Sequence, residues 1–477
     1  MRGRSAKLDV MSKPLSQLPH PPGRLPLVGD IRSVDRRTPT QHETRLAKDL
    51  GPIYQRLLLR DRLVVVAGAE LAQQCTDEKL WGRVLIGPTA KLRDIAGAGL
   101  FTARSSDPLW SQARAILSPG FSQEAMRVYH SAMTSVAMDL VDRWSREPAD
   151  VHRDMTAATL EVIGRAGFSQ PLGVLGNDRS ASEPVPATGA FLAALERTLD
   201  WASETSNDLP ILGSARSLAT KRQRESDIAL ARAYVDGIVQ RRRKAEAQRP
   251  GSTSDLLDLM LTTRDPKTGE SLPDNNIRDQ VLTFLVAGHE TTAALMEVAL
   301  YYLAADPALA AQLREASLGT SYDEVSKNRA LRAFLNECLR LWPPVPGFFR
   351  VSRVTQDLGE YSVPAGRAVF VLALAAQRDR EAWGEDADTF RAERFLEARV
   401  TARSGRFFAP WGAGPRSCIG RQFALHEAAV LLSTVLQHYD LELADGAGDL
   451  RMRERGTLRP EKFDISVRPR TRQMEKQ

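Results

Sequence analysis

Cysteine is scarce. Three cysteines in 477 residues, Cys75, Cys338 and Cys418, cannot staple so long a chain, which excludes a disulfide framework and fits a reducing compartment. Each is then either a small buried hydrophobe or a chemical tool. Long apolar runs are lacking too: no stretch approaches about 18 uninterrupted apolar residues, so no membrane span is expected. The opening MRGRSAKLDVMSKPLSQL has basic residues with no apolar core behind them, unlike a signal peptide. These absences lead to the expectation of a cytoplasmic protein without a membrane anchor. Nor does one sign of charge dominate. Against 65 Lys+Arg stand 59 Asp+Glu, a net +6 too dilute to suggest nucleic acid. The dense basic run Arg241–Lys244 follows a helical pattern and reads as a solvated helix end. No Gly-x-Gly-x-x-Gly follows a strand, so no nucleotide-binding reductase is expected within the chain.

What is present is a globular composition, 43% hydrophobic and 26% charged, which excludes disorder for the bulk of the chain. Residues 1–17 read as an unstructured lead-in, and Leu18-Pro19-His20-Pro21-Pro22-Gly23 as a stiff extended entry. Strand-like runs follow at Leu57–Leu59 and Leu63–Ala67, separated by Arg60-Asp61-Arg62. From about 107 to 345 helical spacing dominates, broken by Pro/Gly/Ser loops. A strand-rich insert at 350–373 turns at Val363-Pro364-Ala365-Gly366. The expectation is a mainly α protein with a smaller β-rich part, folded as a single domain over 18–477.

The most informative segment is Phe407-Phe408-Ala409-Pro410-Trp411-Gly412-Ala413-Gly414-Pro415-Arg416-Ser417-Cys418-Ile419-Gly420. Glycines and prolines before Cys418 forbid helix and allow a tight loop. Beyond it, apolar residues from Ile419 to Leu436 recur at helical spacing. Cys418 is thereby placed at a helix N-terminus, where free N–H groups, the helix dipole and nearby Arg416 favour a thiolate. A redox-sensitive thiol and a plain buried cysteine both remain open on this ground alone. A second segment, Leu282 to Thr292, contains His289-Glu290. A zinc-protease helix would need a further His four residues after His289, and residue 293 is Ala, so that reading fails.

Taken together these segments resemble the cytochrome P450 family. Trp-Gly-x-Gly-x-Arg-x-Cys-Ile-Gly is similar to the family's haem-binding signature, with Trp411 where the family usually has Phe. Glu337-Cys338-Leu339-Arg340 resembles its Glu-x-x-Arg pair, and Phe390 to Phe395 its Phe-x-Pro-Glu-Arg-Phe segment, Ala392 replacing the proline. Ala287-Gly288-x-Glu290-Thr291 resembles the oxygen-activation segment. Further similar stretches are Gly97–Thr102, Phe121–Met126, Asp265–Glu270 and Gln422–Glu427, closest to the soluble bacterial branch with the fatty-acid hydroxylase fused to a flavin reductase.

The resemblance implies a cytochrome P450 fold around haem b, with Cys418 as the iron ligand. It implies Thr291 and Glu290 as the proton-delivering pair, and Glu337, Arg340 and Arg394 as a folding network. Trp110, Arg114, Arg350 and Arg416, with Arg83 as a further candidate, would hold the haem propionates. Trp411 would pack on the thiolate side of the haem. Phe101, Ala287, Val345 and Phe348 would line a largely apolar substrate pocket. The implied activity is a haem-thiolate monooxygenase acting on O2 and a small apolar substrate. A fatty acid is favoured, although only Arg60 or Arg62, without a nearby tyrosine, could hold its carboxylate. A polyketide, terpenoid or aromatic biosynthetic intermediate is the alternative, and a non-catalytic haem sensor the reading from another class. Electrons are expected from a separate ferredoxin or flavodoxin and its reductase, received by a monomer on a face bearing Arg104, Arg114, Arg416 and Arg421.

Overall fold

The computed structural model describes residues 12–59, 61–176, 186–207, 210–248, 254–317, 319–397, 408–444 and 448–470. The Arg60 and Phe407 readings therefore lie outside the described residues, as do residues 1–11 of the expected lead-in. The rest of that lead-in is ordered, which corrects the expectation. Lys13–Pro14 forms a strand beside Tyr361–Ser362, Lys13 N–H donates to the Glu360 carbonyl at 2.8 Å, and Leu15 is buried.

The β-rich part centres on a five-stranded sheet. Its order is Ile53–Leu58, Asp61–Val66, Ala368–Val371, Phe348–Ser352 and Trp81–Arg83. Strands from residues 53–83 thus pair with strands from residues 348–371. Val64, Val66, Val369 and Val371 are buried with Cys75 and Trp81 in a satellite core beneath it. Val and Ile fit such a pleated, covered surface because their branched side chains pack across strands. Arg83 and Arg350 fall opposite each other in the antiparallel register.

The helical part is built around Asp274–Ala305, which packs on Val151–Val162, while Gln123–Trp144 packs on Arg421–His438. Local chemistry sets the boundaries. Pro273 precedes the long helix, and Pro307, inside the next helix, follows a break at which Asp306 caps Ala308 and Leu309 N–H. Ser122 caps Gln123–Trp144 through Ala125 N–H at 3.2 Å. The helix Arg329–Leu341, capped by Asn328 through Leu331 N–H at 2.9 Å, stops before Pro343-Pro344. Thr457–Pro460 pairs antiparallel with Met452–Arg455 and lies across the long helix.

On the Arg329–Leu341 helix, Glu337 accepts two bonds from Arg340 at 2.8 Å each and one from Arg394 Nε at 3.2 Å. All three are fully buried. Arg340 spends its other N–H groups on the carbonyls of Gln377 and Ala387, and Arg394 on those of Trp383 and Asp386. Gln377 in turn accepts from Ala409 N–H at 3.0 Å, so this network anchors the start of the cysteine loop. The three residues do form one buried network, the arrangement the resemblance implied.

Candidate active site

Gly412 and Gly414 sit at φ +68° and +71°, a backbone region that side-chained residues rarely occupy. They let the loop fold back until Cys418 N–H donates to the Trp411 carbonyl at 2.8 Å. The helix then runs from Arg421 to His438. Cys75 and Cys338 are buried; burial pushes the Cys75 thiol up to about 12 and the Cys338 thiol well up, which fits packing residues. Cys418 is accessible, yet protein crowds it closely enough for burial to raise its thiol. Its sulfur therefore lies in a recess. The Gly420 N–H bonded to that sulfur, with the charges of Arg114 and Arg421, favours the thiolate.

Across the molecule the long helix is buried almost all round from Asn276 to Ala304. The exceptions at its centre are Ala287, Gly288, Glu290 and Thr291, which remain partly accessible among buried neighbours. Phe121 links the two regions: it approaches the loop near Gly420 and its ring lies 5.6 Å from that of Phe284 on the long helix. Helix carbonyls in this segment are taken by side chains. Thr291 Oγ donates to Ala287 O at 2.8 Å, Thr292 Oγ to Gly288 O at 3.0 Å, and Thr159 Oγ to His289 O at 3.0 Å. Such bonding loosens the helical ladder locally. His289 points back to Leu285 O, and burial pulls it down to about 4, a neutral core imidazole. Glu290 accepts from Thr457 Oγ at 3.0 Å, and burial raises its carboxyl.

Arg114 and Arg350 reach the cysteine loop, Arg416 rises from it, and Arg83 stands opposite Arg350. Arg114 donates to Ser417 O at 3.1 Å and Arg350 to Ala413 O at 3.1 Å. Arg416 reaches Ala103 O and Arg104 O at 3.3 Å and lies 3.7 Å over the Trp110 ring. Arg83 donates to Phe101 O and lies 5.9 Å over that ring. Burial and mutual repulsion lower Arg83 and Arg416 to about 10. Arg350 Nε is buried without a hydrogen-bond partner. The cluster has more cation than it can satisfy internally.

The comparisons with known proteins agree with this geometry. Residues 19–467 match the family model described as Cytochrome P450. The chain belongs to the cytochrome P450 family. It is 37% identical over 473 residues to a bifunctional cytochrome P450/NADPH–P450 reductase of Bacillus cereus, covering 96% of this chain and 43% of that protein. A self-sufficient cytochrome P450 monooxygenase of Phanerodontia chrysosporium is 33% identical, with 95% and 43% covered. The chain thus spans less than half the length of these curated relatives. A solved cytochrome P450, CYP102L1, superposes with a TM-score of 0.84 at 36% identity, covering 96% of this chain and 100% of that one.

Haem b is the cytochrome P450 cofactor, and the residues fit it. An accessible thiol with an N–H aimed at the sulfur suits an iron ligand. A helix face of Ala287 and Gly288 permits close approach of a flat ring. Four arginines with an orphaned guanidinium nitrogen suit two carboxylates. Trp411 lies in the loop with its indole N–H buried and unbonded. Of the pocket candidates, Phe101 is half-buried beside Arg83, and Phe348 packs against the satellite core with Arg350 5.2 Å over its ring. Val345 is exposed. Arg62 is half-buried opposite Leu57, while Arg104 and Arg421 are exposed. Sequence reasoning missed Gln377, and also Glu427, whose buried carboxyl is pushed well up and bonded to Thr292. Gln377 carries no local motif, and Glu427 ends the family-like stretch Gln422–Glu427 without its contact to a distant helix being legible there. It missed Glu78 as well.

Proposed function

We propose that the chain works as a haem domain over 18–477, inserting one oxygen atom of O2 into a C–H bond of a largely apolar substrate, a fatty acid foremost. The carrying observation is the accessible Ala287, Gly288, Glu290 and Thr291 face on an otherwise buried helix, for a haem carrier needs no acid and hydroxyl there. When bound, haem b supplies the redox centre for oxygen activation.

The chain's own residues do the rest. Cys418 Sγ would ligate the iron, its basicity moderated by the Gly420 N–H. Arg83, Arg114, Arg350 and Arg416 would hold the propionates, with Trp110 stacked beneath Arg416. Thr291 Oγ holds a proton at the accessible face, shared with Ala287 O, and turns it toward the reacting side. Glu290, whose burial favours the protonated form, stores the next proton. For electrons, the relatives' names support an NADPH–P450 reductase, fused or separate; a separate ferredoxin or flavodoxin is the other outcome. The working form is taken as a cytoplasmic monomer.

The test is spectroscopic. The reduced, carbon-monoxide-bound protein should show the thiolate-haem band, lost in Cys418→Ser and kept in Cys75→Ser and Cys338→Ser. Absence of the band in folded wild-type protein sinks the proposal. Long-chain fatty acids should shift the haem spin state; if they fail and a biosynthetic intermediate succeeds, the alternative substrate class holds. Thr291→Ala should divert reducing equivalents to peroxide, and unchanged coupling removes Thr291 from the mechanism.

A further inference from the structure

The arginine cluster contains an anion that none of the family motifs marks. Glu78 stands in the turn before strand Trp81–Arg83, and its carboxylate rests on the cysteine loop. A Cβ on Gly414 would overlap it, so the absence of a side chain there makes its seat. Glu78 Oε1 lies 3.7 Å from Arg350 Nη1, close enough for ionic attraction and too far for a hydrogen bond. That oxygen is buried without a hydrogen-bond partner, and so is Arg350 Nε. The Glu78 charge also acts favourably on Arg416. Its backbone is pinned independently, since Arg353 Nε donates to Glu78 O at 3.0 Å. The side chain is 31% exposed and has a route outward.

We propose that Glu78 is the internal counter-ion of the propionate site, a carboxylate that a haem propionate must displace or outweigh. This rests on the haem-domain reading. The unpaired ends on both sides argue for a placeholder: a partner built to stay would close the hydrogen bond. Two propionates and Glu78 then share four arginines. The extra negative charge beside the haem edge weakens haem retention and disfavours the added electron on reduction.

The test uses holoprotein and two readouts apart from turnover. Haem transfer to excess apomyoglobin should slow about tenfold in Glu78→Gln, the scale of one partly buried charge contact, with Glu78→Asp nearer wild type. The midpoint potential of Glu78→Gln should move positive. Faster haem loss in Glu78→Gln would overturn the proposal and make Glu78 a clamp that positions Arg350; equal haem loss with an unmoved potential would also overturn it. Wild type without a thiolate-haem band would instead overturn the haem-domain reading.

Discussion

Two groups of arginines, one fully buried and one with only Arg350 buried and the rest half-buried, differ in their balance. Around Arg340 and Arg394, two cations meet two carboxylates, Glu337 and Asp386, partners are 2.8–3.2 Å apart and the remaining N–H groups reach carbonyls. Around Cys418, Arg83, Arg114, Arg350 and Arg416 use loop carbonyls with only Glu78 beside them as an anion, and Arg350 Nε has no hydrogen-bond partner. Burying a charge is costly unless it is paired. The first group repays that cost within the fold, so its work is folding. The second leaves it partly unpaid, the mark of a place where an anionic ligand completes the structure.

The largest expected effect breaks the balanced side. Arg340→Ala leaves Glu337 in a closed interior with only Arg394 and the Arg391 N–H as partners, a loss of about 3–5 kcal/mol. Urea unfolding should show it, with no recovery on adding haem; a loss below about 1 kcal/mol would put the two groups in the same class.

Acid probes the buried groups that are held neutral. Burial pulls His289 and His426 down to about 4, against about 6.5 in the unfolded chain. Between these values the unfolded chain binds more protons, so stability falls as pH drops from about 6.5 to about 4 and levels off below. His426 alone contributes a loss on the order of 3 kcal/mol. His426→Gln should flatten the curve of unfolding midpoint against pH. An unchanged slope would remove His426 from the account.

The smallest effect sharpens the unbalanced side. Arg350→Ala should change the stability of haem-free protein by less than about 1 kcal/mol, since relief of its repulsion with Arg83 offsets the loss of one carbonyl bond and a long contact to the partly exposed Glu78. Haem loss should nevertheless quicken about tenfold. Equal destabilisation with and without haem would make Arg350 a folding residue like Arg340.

Much of the site was legible because it is local in the chain. Trp411 to Gly420 carries its own loop and helix start, and Trp110-x-x-x-Arg114 needs only one helix to share a face. Arg83 could not be ranked from sequence: its value comes from standing opposite Arg350 across two strands 267 positions apart in the chain. Val345 and Phe348 were named by position alone, and their surroundings, solvent and the satellite core, depend on how the sheet packs.

The scarcity of cysteine, the loop glycines and the helical spacing after Cys418 were determined by sequence alone, because backbone sterics and periodicity act between near neighbours. Which cysteine is accessible, which arginines outnumber their anions and where Glu78 rests were decided only by the tertiary structure. Burial and electrostatic balance are properties of what surrounds a side chain, and those surroundings come from segments hundreds of residues away.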